Sequence, residues 1–199
     1  MTFTLRLALP AAALSLLAAC ATQAPPAASP APTATKATVA PTTAAAGAGE
    51  FFVVMPESGR IYVFGDTKNY KDFLAHGEVT LTRTQIGAGP GGRTLVYGIT
   101  KPDVKANVPS IGEQIMTGSL APSANFYGEV MKNGRFYLFG DLKEMKDFVA
   151  HGEVAYGYTD IGVGPKGESL VYVMNKASYK KGKPMDRLGH FKSLHEAAK

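Results

Sequence analysis

GDTKNYKDFLAHGEV, from Gly65 to Val79, returns as GDLKEMKDFVAHGEV, from Gly140 to Val154. The offset is 140 − 65 = 75 residues, and the match runs without a gap over 51–101 and 126–176, with about half of the paired positions identical. A unit of about 50 residues buries little of its own surface, so the two copies are expected to share one core.

Both copies parse alike. Phe51–Met55 and Asn125–Met131 are expected as first strands, and Arg60–Phe64 and Arg135–Phe139, rich in aromatic and β-branched residues, as second strands. Asp66 and Asp141 then suit helix N-caps, and Glu144 sits where a capping box would place it. Tyr70, Phe73 and Leu74, like Met145, Phe148 and Val149, fall at i, i+3, i+4 on one helix face. Gly77 and Gly152 stop the helices. Alternation at Val79–Thr84 and Val154–Tyr158 predicts half-buried strands. A Gly-Pro-x-Gly turn at 89–92 and 164–167 leads into closing strands at 93–100 and 168–175. The expected fold is α+β: two pseudo-symmetric β-β-α-β-β repeats, at 50–101 and 125–176, on one mostly antiparallel sheet. Residues 102–124 join them, and 177–199 form a basic tail in which Met185, Leu188, Phe191 and Leu194 suit one face of a helix.

The N-terminus reads as a targeting segment. Arg6 precedes an apolar run, Leu7–Ala19, that is shorter than the ~20 residues a spanning helix needs. It ends in Leu17-Ala18-Ala19-Cys20, and Cys20 is the one cysteine of the chain. This resembles the lipobox of bacterial lipoproteins. The resemblance implies a signal peptide over 1–19, cleavage before Cys20, a diacylglyceryl thioether on its sulfur and acylation of the new amino terminus. Each buried methylene contributes ~0.8 kcal/mol, so two or three chains anchor stably. In a Gram-negative cell, Ala21 rather than Asp after the cysteine implies the outer membrane, facing the periplasm.

Residues 21–49 are mostly Ala, Pro and Thr with one charge, Lys36. With Cys20 they predict a disordered tether with a reach of ~30 Å. The net charge of +5 resides in the stretch from Lys176 to Lys199, where seven Lys or Arg stand against Asp186 and Glu196 (7 − 2 = +5). Confinement to a tail argues against nucleic acid and for an anionic lipid surface or an acidic envelope partner.

Chemistry is sparse. With Cys20 committed to lipid, no thiol is left for catalysis, and no nucleophile elbow or P-loop is present. His76-Gly77-Glu78 and His151-Gly152-Glu153 recur in both copies; they suit a copper or zinc site, or simply helix ends whose dipole favours a cation. Met55, Met116, Met131 and Met174 offer soft ligands or core filler. The β-β-α unit with a lipid anchor resembles, in architecture alone, the copper lipoproteins that serve nitrous oxide reductase. The Cys-based motif of that family does not occur here. Arg60, Tyr62 and Phe64, with Arg135, Tyr137 and Phe139, align an arginine and two aromatics on one strand face, a pattern for glycan or peptide binding or for an aromatic core. The expected function is a non-catalytic binding or structural module of the envelope without a cofactor, the alternative a periplasmic metal carrier.

Overall fold

The structure, a computed structural model, describes residues 47–196. The expected signal peptide, Cys20 and the tether up to residue 46 lie outside the described residues.

The described residues form a mixed α and β fold around one eight-stranded sheet with six α-helices. In chain order these are β1 (Ala48–Met55), β2 (Arg60–Phe64), α1 (Thr67–His76), β3 (Thr82–Gln85), β4 (Thr94–Gly98), α2 (Lys101–Ala106), α3 (Ile111–Thr117) and β5 (Pro122–Lys132). There follow β6 (Arg135–Phe139), α4 (Leu142–His151), β7 (Tyr156–Asp160), β8 (Ser169–Met174), α5 (Lys176–Tyr179) and α6 (Met185–Glu196). Across the sheet the order is β3-β4-β2-β1-β5-β6-β8-β7. Four of the seven pairings are antiparallel (β1–β2, β3–β4, β5–β6, β7–β8), so the sheet is mostly antiparallel as expected. The parallel pairs are β2–β4 and β6–β8, whose connections run through a helix, and the central seam β1–β5.

Both faces of the sheet are covered, which explains why β1 is apolar at consecutive positions from Phe51 to Met55. Phe51, Val53 and Met55 join Ile115 of α3 and Met145, Phe148 and Val149 of α4 in one core. Phe52 and Val54 point the other way and join Tyr70 and Phe73 of α1 with Phe191 and Leu194 of α6. Thus α1 and α6 cover one face and α3 and α4 the other. Close approach needs a glycine at one point: a Cβ on Gly128 of β5 would lie 2.4 Å from Met145 Sδ, so that position admits no side chain.

The helix ends behave as their residues dictate. Asp66 and Asp141 accept from the backbone N–H of Asn69 and Glu144 at 2.8 and 2.9 Å. Gly77 and Gly152 adopt φ of +77° and +76° and close α1 and α4 with bonds to the carbonyls of Phe73 and Phe148. The capping box expected at Glu144 does not form, because its carboxylate accepts instead from Asn175 Nδ2 at 2.7 Å. Other details differ too, among them β7, which begins at Tyr156 rather than at Val154. The edge strand β3 begins only at Thr82, after a non-strand stretch that includes Val79 and Leu81. The 102–124 segment contains most of α2 and all of α3, both with full capping boxes (Thr100 with Asp103, Ser110 with Glu113). Met185 lies 62% exposed, so the buried face of α6 runs from Leu188 to Leu194 without it. Among the described residues, no helix is long and apolar enough to cross a membrane.

Candidate functional site

Two of the sequence candidates meet in one groove. Phe73 of α1 packs on Tyr62 of β2, ring centroids 4.4 Å apart, and holds the end of the helix over the second strand. Gly77 then turns the chain so that Glu78 and Val79 descend beside the sheet before β3 begins. The register Tyr62↔Val96↔Thr84 lays these side chains in a row across β2, β4 and β3, with Arg60↔Thr94 in the parallel row. The result is a half-open groove of ≈ 410 Å³, within the usual size of ligand sites. Its floor carries Tyr62, Val96 and the hydroxyls of Thr82, Thr84 and Thr94. Exposed Arg60 and Glu78 stand at its rim, and neither enters an ion pair among the described residues. Hydroxyls that both donate and accept, beside one fixed cation and one anion, match a ligand with many hydroxyl or amide groups.

Phe64 takes no part in the groove. It is fully buried between Tyr70 and Phe73. Phe139 is buried against Phe148 in the same manner, and Tyr137 lies 4.4 Å from that ring. The aromatic strand face is therefore mostly core, covered by helix, while Arg60 and Arg135 remain exposed at its end.

The histidine pairs are not brought together. His76 sits with Asp72 and Glu78 along a shallow hollow at the end of α1, and His151 with Asp147 and Glu153 along another at the end of α4. Since α1 and α4 pack on opposite faces, the sheet separates the two sets. Each histidine is exposed on the last helical residue, where a cation is favoured by the helix dipole. Among the described residues no group of three or more His, Cys, Asp or Glu is arranged to hold a metal ion. Met55 is buried in one core, Met116 packs against it and Met131 packs against the other.

Comparison with protein-family models, curated proteins and solved structures returned no match.

The most unusual polar cluster is one the repeat does not mark. Glu129 of β5 is fully buried, at the position where the first copy has Val54. Its carboxylate accepts from the hydroxyl of Tyr70, from the hydroxyl of Tyr127 at 2.8 Å and from His195 Nε2 at 2.9 Å. Burial, and then the adjacent Glu129 charge, hold both tyrosine hydroxyls well above the ordinary phenol value. A second histidine of α6, His190, stacks on Tyr127 and lies 3.0 Å from Glu50 of β1, which also accepts from Thr67 at 2.6 Å. Arg187 donates to the carbonyl of Val173 at 2.7 Å, and Lys183 pairs with Asp160. The basic tail is thus largely a docked helix whose polar groups are matched to the sheet. The available signal was the departure between copies: a carboxylate on a strand where its counterpart is valine.

Proposed function

We propose that this protein is a lipid-anchored, non-catalytic binding module of the bacterial envelope, and that the groove beside β2, β3 and β4 holds a polyhydroxylated ligand, a glycan of the cell wall. The observation that carries this reading is the convergence of Arg60, Tyr62, Glu78 and three threonine hydroxyls in one ≈ 410 Å³ groove. An unpaired guanidinium and carboxylate at the rim can each make charge-assisted bonds to hydroxyl and amide groups, and Tyr62 and Val96 supply an apolar floor. Anchoring through Cys20 would hold this groove within reach of the wall, residues 21–47 acting as the tether, shorter than the expected 21–49 because β1 already begins at Ala48.

We also read the molecule as two pseudo-symmetric units. Support comes from the strand order, which runs outward from the β1–β5 seam as β1-β2-β4-β3 and β5-β6-β8-β7. Equivalent helices α1 and α4 lie on opposite faces, as a two-fold axis along the central strands would place them. The likeness extends past the matched stretch, for α2 begins at Lys101 and α5 at Lys176, again 176 − 101 = 75 apart. Duplication on this account built the scaffold, and divergence left the groove to one half.

The test is binding of solubilised peptidoglycan fragments to the unlipidated chain from Ala21 onward. The reading expects saturable binding that weakens about tenfold when Arg60→Ala removes a charge-assisted bond, with Arg135→Ala as the inert control. Equal loss in both variants, or no binding of wall fragments, would overturn it. Anchoring is tested separately: Cys20→Ala should release the protein from membranes into the soluble fraction.

A further inference from the structure

A second site, independent of the groove, lies where α1, α6 and the β7–β8 turn meet. Leu74 and Ala75 of α1, Met131 and Phe136 of the sheet and Pro165 of the turn wall a pocket of ≈ 190 Å³. That is below the 300–1,000 Å³ usual for drug-sized ligands, so it admits only a small molecule. His195 forms part of its lining although only 7% of that side chain is exposed. The ring is wedged among Phe136, Phe191 and Tyr70. Its Nε2 is committed to Glu129. Because the two tyrosine hydroxyls already donate to that carboxylate, Nε2 must carry the hydrogen and donate as well. Among the described residues, Nδ1 makes no hydrogen bond. His195 thus lines the pocket with one ring nitrogen held by a carboxylate and the other without a partner among the described residues, a group able to meet a ligand.

The rim charges say which. Lys71 and Lys166 flank the opening against one carboxylate, Glu168, so cations outnumber anions. Lys71 Nζ donates to the carbonyl of Leu194 at 2.9 Å, Glu168 accepts from the backbone N–H of Lys166 at 2.8 Å, and the Lys166 ammonium has no partner among the described residues. We propose that this pocket binds a small amphiphilic monocarboxylate, its apolar body against Leu74, Met131 and Phe136 and its carboxylate on His195 Nδ1 and Lys166. An anion at Nδ1 requires a proton there, because a neutral ring donating from Nε2 offers only a lone pair at Nδ1. The imidazolium would then stand between Glu129 and the ligand. The other charged or titratable groups facing the ring and its pocket are Tyr70 and Lys71 of α1, Tyr127 of β5, and Glu168.

Calorimetry of octanoate into the full mature chain tests this, with octanol as the uncharged probe. The expected results are saturable octanoate binding and at least about tenfold weaker octanol binding. Ala75 is exposed, so Ala75→Trp fills the pocket without touching the buried network and should abolish octanoate binding in a folded protein. His195→Gln, which cannot carry a positive charge, should weaken octanoate binding about tenfold and leave octanol binding unchanged. Absence of saturable octanoate binding, equal affinity for octanol, or unchanged binding in Ala75→Trp would each overturn the assignment.

Discussion

At the scale of single residues, Glu129 is the least replaceable polar group. It accepts three hydrogen bonds at full burial, from Tyr70, Tyr127 and His195, and every neighbour is a donor. Glu129→Gln keeps the shape but puts an amide N–H₂ among donors. The expected cost is about 3 kcal/mol, the scale of breaking a buried charged pair from one side, measured by urea unfolding. Asp160 gives a different signature. Hydrogen bonding from Lys183, with a further contribution from the Tyr172 hydroxyl, outweighs burial and holds its carboxyl below the ordinary value. A carboxyl lowered in the folded state adds stability that is present above its unfolded value, near pH 4, and is lost as pH falls through the lower folded value. Wild type should therefore exceed Asp160→Asn in stability at neutral pH. The gap should close on acidification below about pH 4, followed by thermal unfolding across pH. A gap that stays constant with pH would rule out this linkage.

Elements show what the sequence reveals and what it conceals. Helices α1 and α4 were readable because capping Asp, an i, i+3, i+4 apolar set and a terminal Gly agree at each end. The Gly77 prediction isolates one such signal. A Cβ there meets nothing within 4 Å, so Gly77→Ala should cost only the left-handed backbone penalty, about 1–2 kcal/mol, in chemical denaturation. Helices α2 and α3 carried equally good signals, Thr100-x-x-Asp103 and Ser110-x-x-Glu113. Neither segment has the apolar periodicity that marks a long helix, since α2 buries no residue and α3 spans seven. The parallel pairings were concealed as well, because strand composition does not encode which neighbour a strand takes. Of the candidate site, Arg60, Tyr62 and Glu78 were visible as repeated residues, but their meeting depends on the turn at Gly77 and on β4 lying beside β2. His195 and Glu129 escaped because 66 residues separate them and neither belongs to the repeated pattern.

For the whole molecule, the decisive arrangement is a sheet buried on both faces with a C-terminal helix completing one of them. Phe191 is 2% exposed and packs edge-on to Phe136 at 5.1 Å. Phe191→Ala should cost about 3–5 kcal/mol, a large share of the stability of a domain this size, and should lower the thermal midpoint accordingly. Removing α6 altogether would also uncover Glu129, so a chain ending at Lys183 should fail to unfold cooperatively in calorimetry. The same helix sets an order of events. His190 reaches Glu50 across 140 residues of chain, joining the last helix to the first strand. Contacts of such long sequence separation form late, since the loop between them must close first. A polypeptide emerging amino terminus first has its first strand ready long before the helix that caps it exists. Its core can close only once α6 has been made, so closure of this fold waits on the arrival of its last described helix.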